Sequence, residues 1–201
     1  MPSCSPTPQR ALALLLLSLL MATSCQKSTE STPTSVTWTS TTAPYRVTLP
    51  PGWQPFNPEI FQNGADYAAN FDDRVFMVLA TPIPPRPGTD TPPEPDLDQF
   101  VKTATEQLEK DVVNLEVRST QRALLDDTLQ SVILRADGVV NQHPSRYMIA
   151  YTTMPGWYIQ LVAWSHPTHS DLLATEFDFL LEHFEAITAP RALPPPSQDM
   201  S

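Results

Sequence analysis

The residues of this 201-residue chain best suited to chemistry lie in one short run, Ser165–Asp171, which reads SHPTHSD. His166 and His169 could offer imidazole nitrogens and Asp171 a carboxylate to a divalent metal. His143 or His183 could complete the set through folding. The competing reading is structural. Pro167 separates the two histidines, and the run joins a predicted strand to a predicted helix, where polar side chains are needed to cap free backbone groups. The same run holds Ser, His and Asp, but a catalytic triad needs members that converge in space rather than follow one another in the chain. A second candidate is aromatic. Trp53, Trp157, Tyr158 and Trp164, with Tyr147 and Tyr151 nearby, could line a groove for a sugar or an apolar ligand if one sheet face is uncovered. Alternating aromatics otherwise fill a core. A third is the adjacent pair Asp72-Asp73, which reads as a hairpin turn, since neighbouring carboxylates on an extended chain point apart. The chain has no G-x-S-x-G elbow, P-loop, dinucleotide fingerprint or H-E-x-x-H. Its five glycines are spread singly, which leaves no phosphate-cradling loop. No cofactor is expected.

Cysteine placement carries a different message. Arg10 is the only charged residue among the first 24, and Ala11–Ala22 reads ALALLLLSLLMA. That run is about a dozen residues long, against about 20 needed to span a bilayer. A short basic segment, a leucine-rich segment and small residues describe a secretory signal peptide. Ala22, Thr23, Ser24 and Cys25 then resemble a bacterial lipobox, although Ala22 stands where Leu is usual. The resemblance implies cleavage before Cys25, a diacylglyceryl group on its sulfur, and acylation of the new amine. One acyl chain binds a membrane marginally and two or more hold stably, so Cys25 would be the membrane anchor. Ordinary signal cleavage is the alternative, but it leaves Cys25 unexplained. Gln26, in place of the Asp that retains enteric lipoproteins at the inner membrane, favours the outer membrane facing the periplasm in a Gram-negative host. Cys4 leaves with the signal, so the exported domain has no free cysteine for a disulfide, a thiolate metal site or a thiol nucleophile.

Removing residues 1–24 takes the formal charge from −10 to about −11. This acidic balance argues against nucleic acid as a partner and against a basic patch docking on anionic lipid. The chain that remains is long enough for one domain with a real core. Its 23 prolines gather in connections and tails. Residues 25–43 read as the lipidated cysteine and a Ser/Thr-rich tether, with Trp38 in SVTWTS as a possible first strand. Residues 44–188 form the domain, and the proline-rich residues 189–201 a disordered tail.

Within the domain, YRVTLPPGW at Tyr45–Trp53 reads as a strand and a Pro-Gly turn. Tyr67–Phe71 alternates like a half-buried strand, and RVFMVLATPI is apolar enough for an interior one. Seven prolines in residues 81–95 predict a stiff surface connection, with docking as a polyproline helix the functional alternative. Asp96 and Gln99 predict a capping box. Leu97, Phe100, Val101, Ala104 and Leu108 then form one face of a helix. Four strands follow, near Asn114–Leu125, Thr128–Ala136, Ser145–Thr153 and Trp157–Trp164. Asp126-Asp127, ADGVVNQHP and MPGW separate them as hairpins. A final helix starts near Thr168 with the stripe Leu173, Phe177, Leu180, Phe184 and Ile187. Antiparallel strands with segregated helices mean an α+β fold.

YRVTLPPGW, the amphipathic helix after a long insertion, the meander TLQSVILRADG…RYMIAYTTMPGWYIQLVAW and the closing helix together resemble the PsbP-like and DcrB-like domains, over about residues 44–188. The resemblance implies an antiparallel sheet of about six or seven strands sandwiched by helices. Asp126-Asp127 departs from the small Gly-containing turn common at that place. Members are commonly lipoproteins or extrinsic subunits that stabilise larger assemblies, without catalysis. The expectation is a membrane-anchored envelope lipoprotein, not an enzyme, with a protein partner and no nucleic acid. The alternative is a small-ligand or divalent-metal binding lipoprotein. An envelope hydrolase would require a cleft with a converging nucleophile and base.

Overall fold

A computed structural model describes residues 34–57, 64–88 and 92–187. The signal peptide, Cys25, most of the tether and the proline-rich tail lie outside the described residues. The centre of the domain follows from its two most apolar strands. In β8 (His143–Met154) and β9 (Trp157–Ser165), most successive residues are buried rather than alternate ones. A strand of that kind needs cover on both faces.

Those strands sit inside a seven-stranded antiparallel sheet. It also contains β3 (Gln54–Pro55), β4 (Tyr67–Phe71), β5 (Arg74–Pro82), β6 (Val113–Leu125) and β7 (Leu129–Val140), in the order β3-β4-β5-β9-β8-β7-β6. One face packs against α1 (Leu97–Asp111), through Tyr147, Ile149, Tyr151 and Val162 of the sheet and Phe100, Val101, Ala104 and Leu108 of the helix. The other face packs against α2 (Ser170–Glu182) and a small sheet of β1 (Val36–Thr39), β2 (Tyr45–Leu49) and β10 (Phe184–Ala186), in the order β1-β2-β10. Leu173, Phe177 and Leu180 of α2 are fully buried there, each contributing about 1.5–3 kcal/mol of apolar transfer energy. This is the expected α+β sandwich. No helix among the described residues is long and apolar enough to cross a membrane.

Several local expectations need correction. The domain begins before residue 44, because Val36–Thr39 pairs with β2 from Val36↔Leu49 to Thr39↔Arg46. Trp38 also stacks on Tyr67 with ring centroids 4.3 Å apart. The last helix stops at Glu182. Phe184 to Ala186 turn extended and pair with the other side of β2, Phe184↔Val47, because β2 offers a free edge that a longer helix would leave unpaired. ADGVVNQHP is mostly strand, and only Asn141 and Gln142 turn, with φ of 50° and 70°. Positive φ at both central residues is what a twisted two-residue hairpin requires. Asp126 and Asp127 likewise adopt φ of 50° and 53°. Aspartate tolerates this region, so the missing glycine is no obstacle. The capping box is half formed. Asp96 Oδ1 accepts from the Gln99 backbone N–H at 2.9 Å, while the Gln99 side chain donates forward to Thr103.

The C-terminal end of α1 touches the sheet at one glycine. A Cβ on Gly138 would lie 2.2 Å from Cγ1 of Val112, a buried and stiff β-branched side chain. Gly138→Ala is therefore expected to destabilise the domain by about 1–3 kcal/mol, read as a lower urea midpoint with an unchanged slope.

Candidate functional site

The polar residues singled out above come together only in part, and around a residue not grouped with them. The two-residue turn Asp72-Asp73 joins β4 to β5 with Phe71 opposite Arg74 and Asp72 at φ 54°. It carries Asp73 to the junction of β9 and α2. There Asp73 Oδ1 lies 2.8 Å from His169 Nδ1, and its Oδ2 accepts from the His166 backbone N–H at 3.3 Å. The junction is the single 3-10 turn Pro167–His169. His166 Nδ1 lies 2.9 Å from the Thr168 hydroxyl and accepts from the Thr168 N–H, closing that turn. Both histidines are thus engaged through Nδ1 in fastening the start of α2. Asp171 instead lies near enough to Arg146 to act on it electrostatically. The candidate metal set of His166, His169 and Asp171 is therefore not assembled, and His166 caps the turn at the entry to α2, as the structural reading of the run had it. Among the described residues no group of three or more His, Cys, Asp or Glu could hold a metal ion. His183 instead bonds the Phe179 carbonyl oxygen through Nδ1 and stacks on the Phe179 ring. Ser165 is buried and donates to the His166 carbonyl, not to an imidazole.

Asp73 belongs to the site, and the only trace of this in the sequence was its place in an acidic turn. Burial would raise its pKa, but the bonds from His169 and the His166 N–H outweigh burial and hold it below the usual carboxylate range.

Arg74, next in the chain, is 5% exposed and lies beneath α2. Its Nε is 2.9 Å from Glu176 Oε2, and its guanidinium carbon is 4.8 Å from the centre of the Phe71 ring. Arg74 Nε, Glu176 Oε2 and the Trp53 indole nitrogen are all buried without a well-aligned hydrogen bond. Burial pushes the Glu176 carboxyl above its usual range; Arg74 first and the Trp53 indole next oppose this.

The aromatic groove is not formed either. Trp53 is 1% exposed and packs with Trp157 on the α2 face. Tyr158 stacks on Phe100 of α1 at 4.6 Å, and Trp164 on Tyr147 at 6.5 Å, both on the opposite face. The strand period of two sends adjacent Trp157 and Tyr158 to different sides. Elsewhere, among the described residues, Pro92, Pro93, Pro95, Leu129 and Met154 wall an open groove of about 1070 Å³, with Glu94 and Asp98 among the residues around it.

No family model matches the chain, and no curated protein matches it. Solved structures do. The solution structure of cyanobacterial PsbP (CyanoP) from Synechocystis sp. PCC 6803 is similar over 83% of this chain and 99% of its own, with 18% identity and a TM-score of 0.55. A protein of Bacteroides thetaiotaomicron is similar over 79% of this chain and 50% of its own, with 11% identity and a TM-score of 0.51. LpqN, involved in cell envelope biogenesis of Mycobacterium tuberculosis, reaches 13% identity over 78% of this chain and 86% of its own. Its TM-score of 0.46 is too low to carry an argument. The fold is PsbP-like; identities this low speak to fold alone.

Two outcomes follow. Glu176→Ala leaves the buried Arg74 charge uncompensated and is expected to cost about 3–5 kcal/mol, whereas Arg74→Met with Glu176→Leu is expected to recover most of it; urea unfolding of the three proteins checks this. Asp73 has a lowered folded pKa, so its contribution is full above the unfolded value near about 3.9 and is lost as pH falls through the folded value. Asp73→Asn should destabilise the domain at neutral pH and flatten the fall in stability between about pH 5 and pH 3, measured as urea midpoints across that range.

Proposed function

We propose that this protein is a lipid-anchored, extracytoplasmic lipoprotein of the PsbP-like and DcrB-like kind. It acts without catalysis, by binding a protein partner of the cell envelope through its surface. The observation that carries the reading is how the chemistry-bearing residues are used. His166, His169, Asp73, Arg74 and Glu176 hold the β4–β5 turn to α2, and the aromatic residues fill both faces of the sheet. A scaffold packed in this way offers a partner its edges and outer surface. The likeness of fold to CyanoP supports the assignment, and the run ending in Ala22-Thr23-Ser24-Cys25 supports the anchor. Diacylation of Cys25 would tether the domain by residues 26–35, facing the periplasm from the outer membrane where the host has one.

Cross-linking in intact cells, affinity capture and mass spectrometry test this reading, with Cys25→Ser as the unanchored control. The expected result is one reproducible envelope protein captured with wild type and lost with Cys25→Ser, together with release of the variant from the membrane fraction. Capture of nothing reproducible, or a variant that stays in the membrane fraction, would contradict it.

A further inference from the structure

The α2 face of the large sheet is not covered evenly. α2 lies mainly over β8 and β9, and the β6–β7 side of that face carries polar side chains. Arg135 on β7 projects there, because it follows Ile133 of the α2-side core by two residues and pairs with Met148 of the same core. It is half-buried, and no hydrogen bond or ion pair engages its side chain among the described residues. That is unusual for a sheltered guanidinium, which carries five N–H donors and normally finds an acceptor.

Two more arginines reach the same face beside it. Asp137, two residues along β7, accepts from Arg146 Nε at 2.6 Å and Nη2 at 3.0 Å, and from Arg118 Nε at 2.9 Å. Arg118 reaches that carboxylate from an irregularity in β6, where the pairing with β7 slips between Val117 and Ser119. Glu116 pairs with Asp137, and Arg118, two residues on, falls on the same face by ordinary strand alternation. Arg118 Nη1 is taken by Glu116. The Asp137 carboxyl is held below its usual range, by Arg146 first and also by Arg118 against the effect of burial. The three arginines exceed the two carboxylates bonded to them by one charge; Asp171 acts on Arg146 from a distance, and Asp126, Asp127, Asp178 and Glu182 line the groove beside Ile133 further along the same face. Arg118 Nη2, Arg146 Nη1 and the whole Arg135 guanidinium remain as donors, in a chain whose formal charge is −10.

We propose that the face formed by Arg118, Arg135 and Arg146 is a binding site for a phosphate group. The donors come from three adjacent strands of one sheet face, two of them gathered on Asp137. A carboxylate fits one guanidinium fork, whereas a phosphate presents enough outward oxygens to accept from several at once. Ser119, directly opposite Arg135 on β6, adds a hydroxyl at the rim. Asp137 positions the two outer arginines, and Arg135 is the residue whose charge the phosphate meets. The overall acidity of the chain opposes docking on an anionic surface, whereas this local excess of donors favours it, so the two sources to separate are a phospholipid headgroup and a free phosphate ester.

The test is calorimetric titration of the full chain carrying Cys25→Ser with inorganic phosphate at low ionic strength. Arg135→Gln is the site variant and Lys102→Gln, on the exposed side of α1, the charge-matched control. The expected result is saturable binding, weakened at least tenfold by Arg135→Gln and less than twofold by Lys102→Gln. Thermal melts of the phosphate-free proteins, unchanged in Arg135→Gln, would show that the loss is not unfolding. Absence of saturation, or equal weakening by both variants, overturns the site. Co-sedimentation with phosphatidylglycerol vesicles then separates the sources. Retention that needs Arg135 assigns the headgroup, and saturation by phosphate without retention assigns a free ester.

Discussion

Everything in this domain depends on β8 and β9 being apolar on both faces. A sheet solvated on one side would tolerate alternation, and these strands do not alternate. They must be sandwiched, and the chain supplies two different covers. α1 lies on one side, with a stripe that is half-buried throughout. On the other, α2 and the three-stranded sheet close a deeper core around Tyr45, Trp53, Phe177 and Phe184. The second cover is built from pieces distant in sequence, since β2 is flanked by β1 from the N-terminal side and β10 from the C-terminal end. Packing of α2 therefore also fixes where the chain termini leave the domain.

Polar fasteners sit where the covers meet the sheet. Asp66 accepts from the Ser40 hydroxyl at 2.7 Å and from the Tyr45 hydroxyl at 2.6 Å, which ties the small sheet to the chain just before β4. Burial, with the Asp66 carboxylate, drives the Tyr45 phenol far above its ordinary pKa, so it stays a donor at any physiological pH. At the start of α2, Asp73 holds the turn that leads into the helix and Arg74 meets Glu176 within it. The Asp73–His169 contact is exposed enough that its worth is about 1 kcal/mol or less. The Arg74–Glu176 pair is buried and its value is different in kind: desolvation offsets much of its attraction, yet either partner alone would be costly. The histidines that looked most like ligands serve this fastening.

The sandwich was legible because it rests on periodicity. The stripe of α1, the continuous run of β5 and the meander from β6 to β9 all follow from local pattern, and their bounds shifted by only a few residues. What could not be read depended on pairing at a distance. Phe184 and Ile187 fit the helical stripe of α2, and only the free edge of β2 makes Phe184–Ala186 a strand. Asp73 was read correctly as a turn residue, but its partners lie more than ninety positions later. The four aromatics were grouped by composition, whereas register divides Trp157 and Tyr158 between opposite faces. The arginine face was invisible for a further reason. Arg118, Asp137 and Arg146 meet only because β6, β7 and β8 pair in one particular register, which the local sequence does not state.

Amide hydrogen exchange tests the central claim most directly, because it reports which strands open only when the whole domain unfolds. If β8 and β9 are the doubly covered centre, their amides should be the slowest to exchange. Destabilising α2 through Glu176→Ala should then accelerate β8 and β9 together with β2 and β10. The outer strand β6 should exchange faster in both proteins. Exchange of β8 and β9 at the rate of β6, or a Glu176→Ala effect confined to α2, would contradict the account.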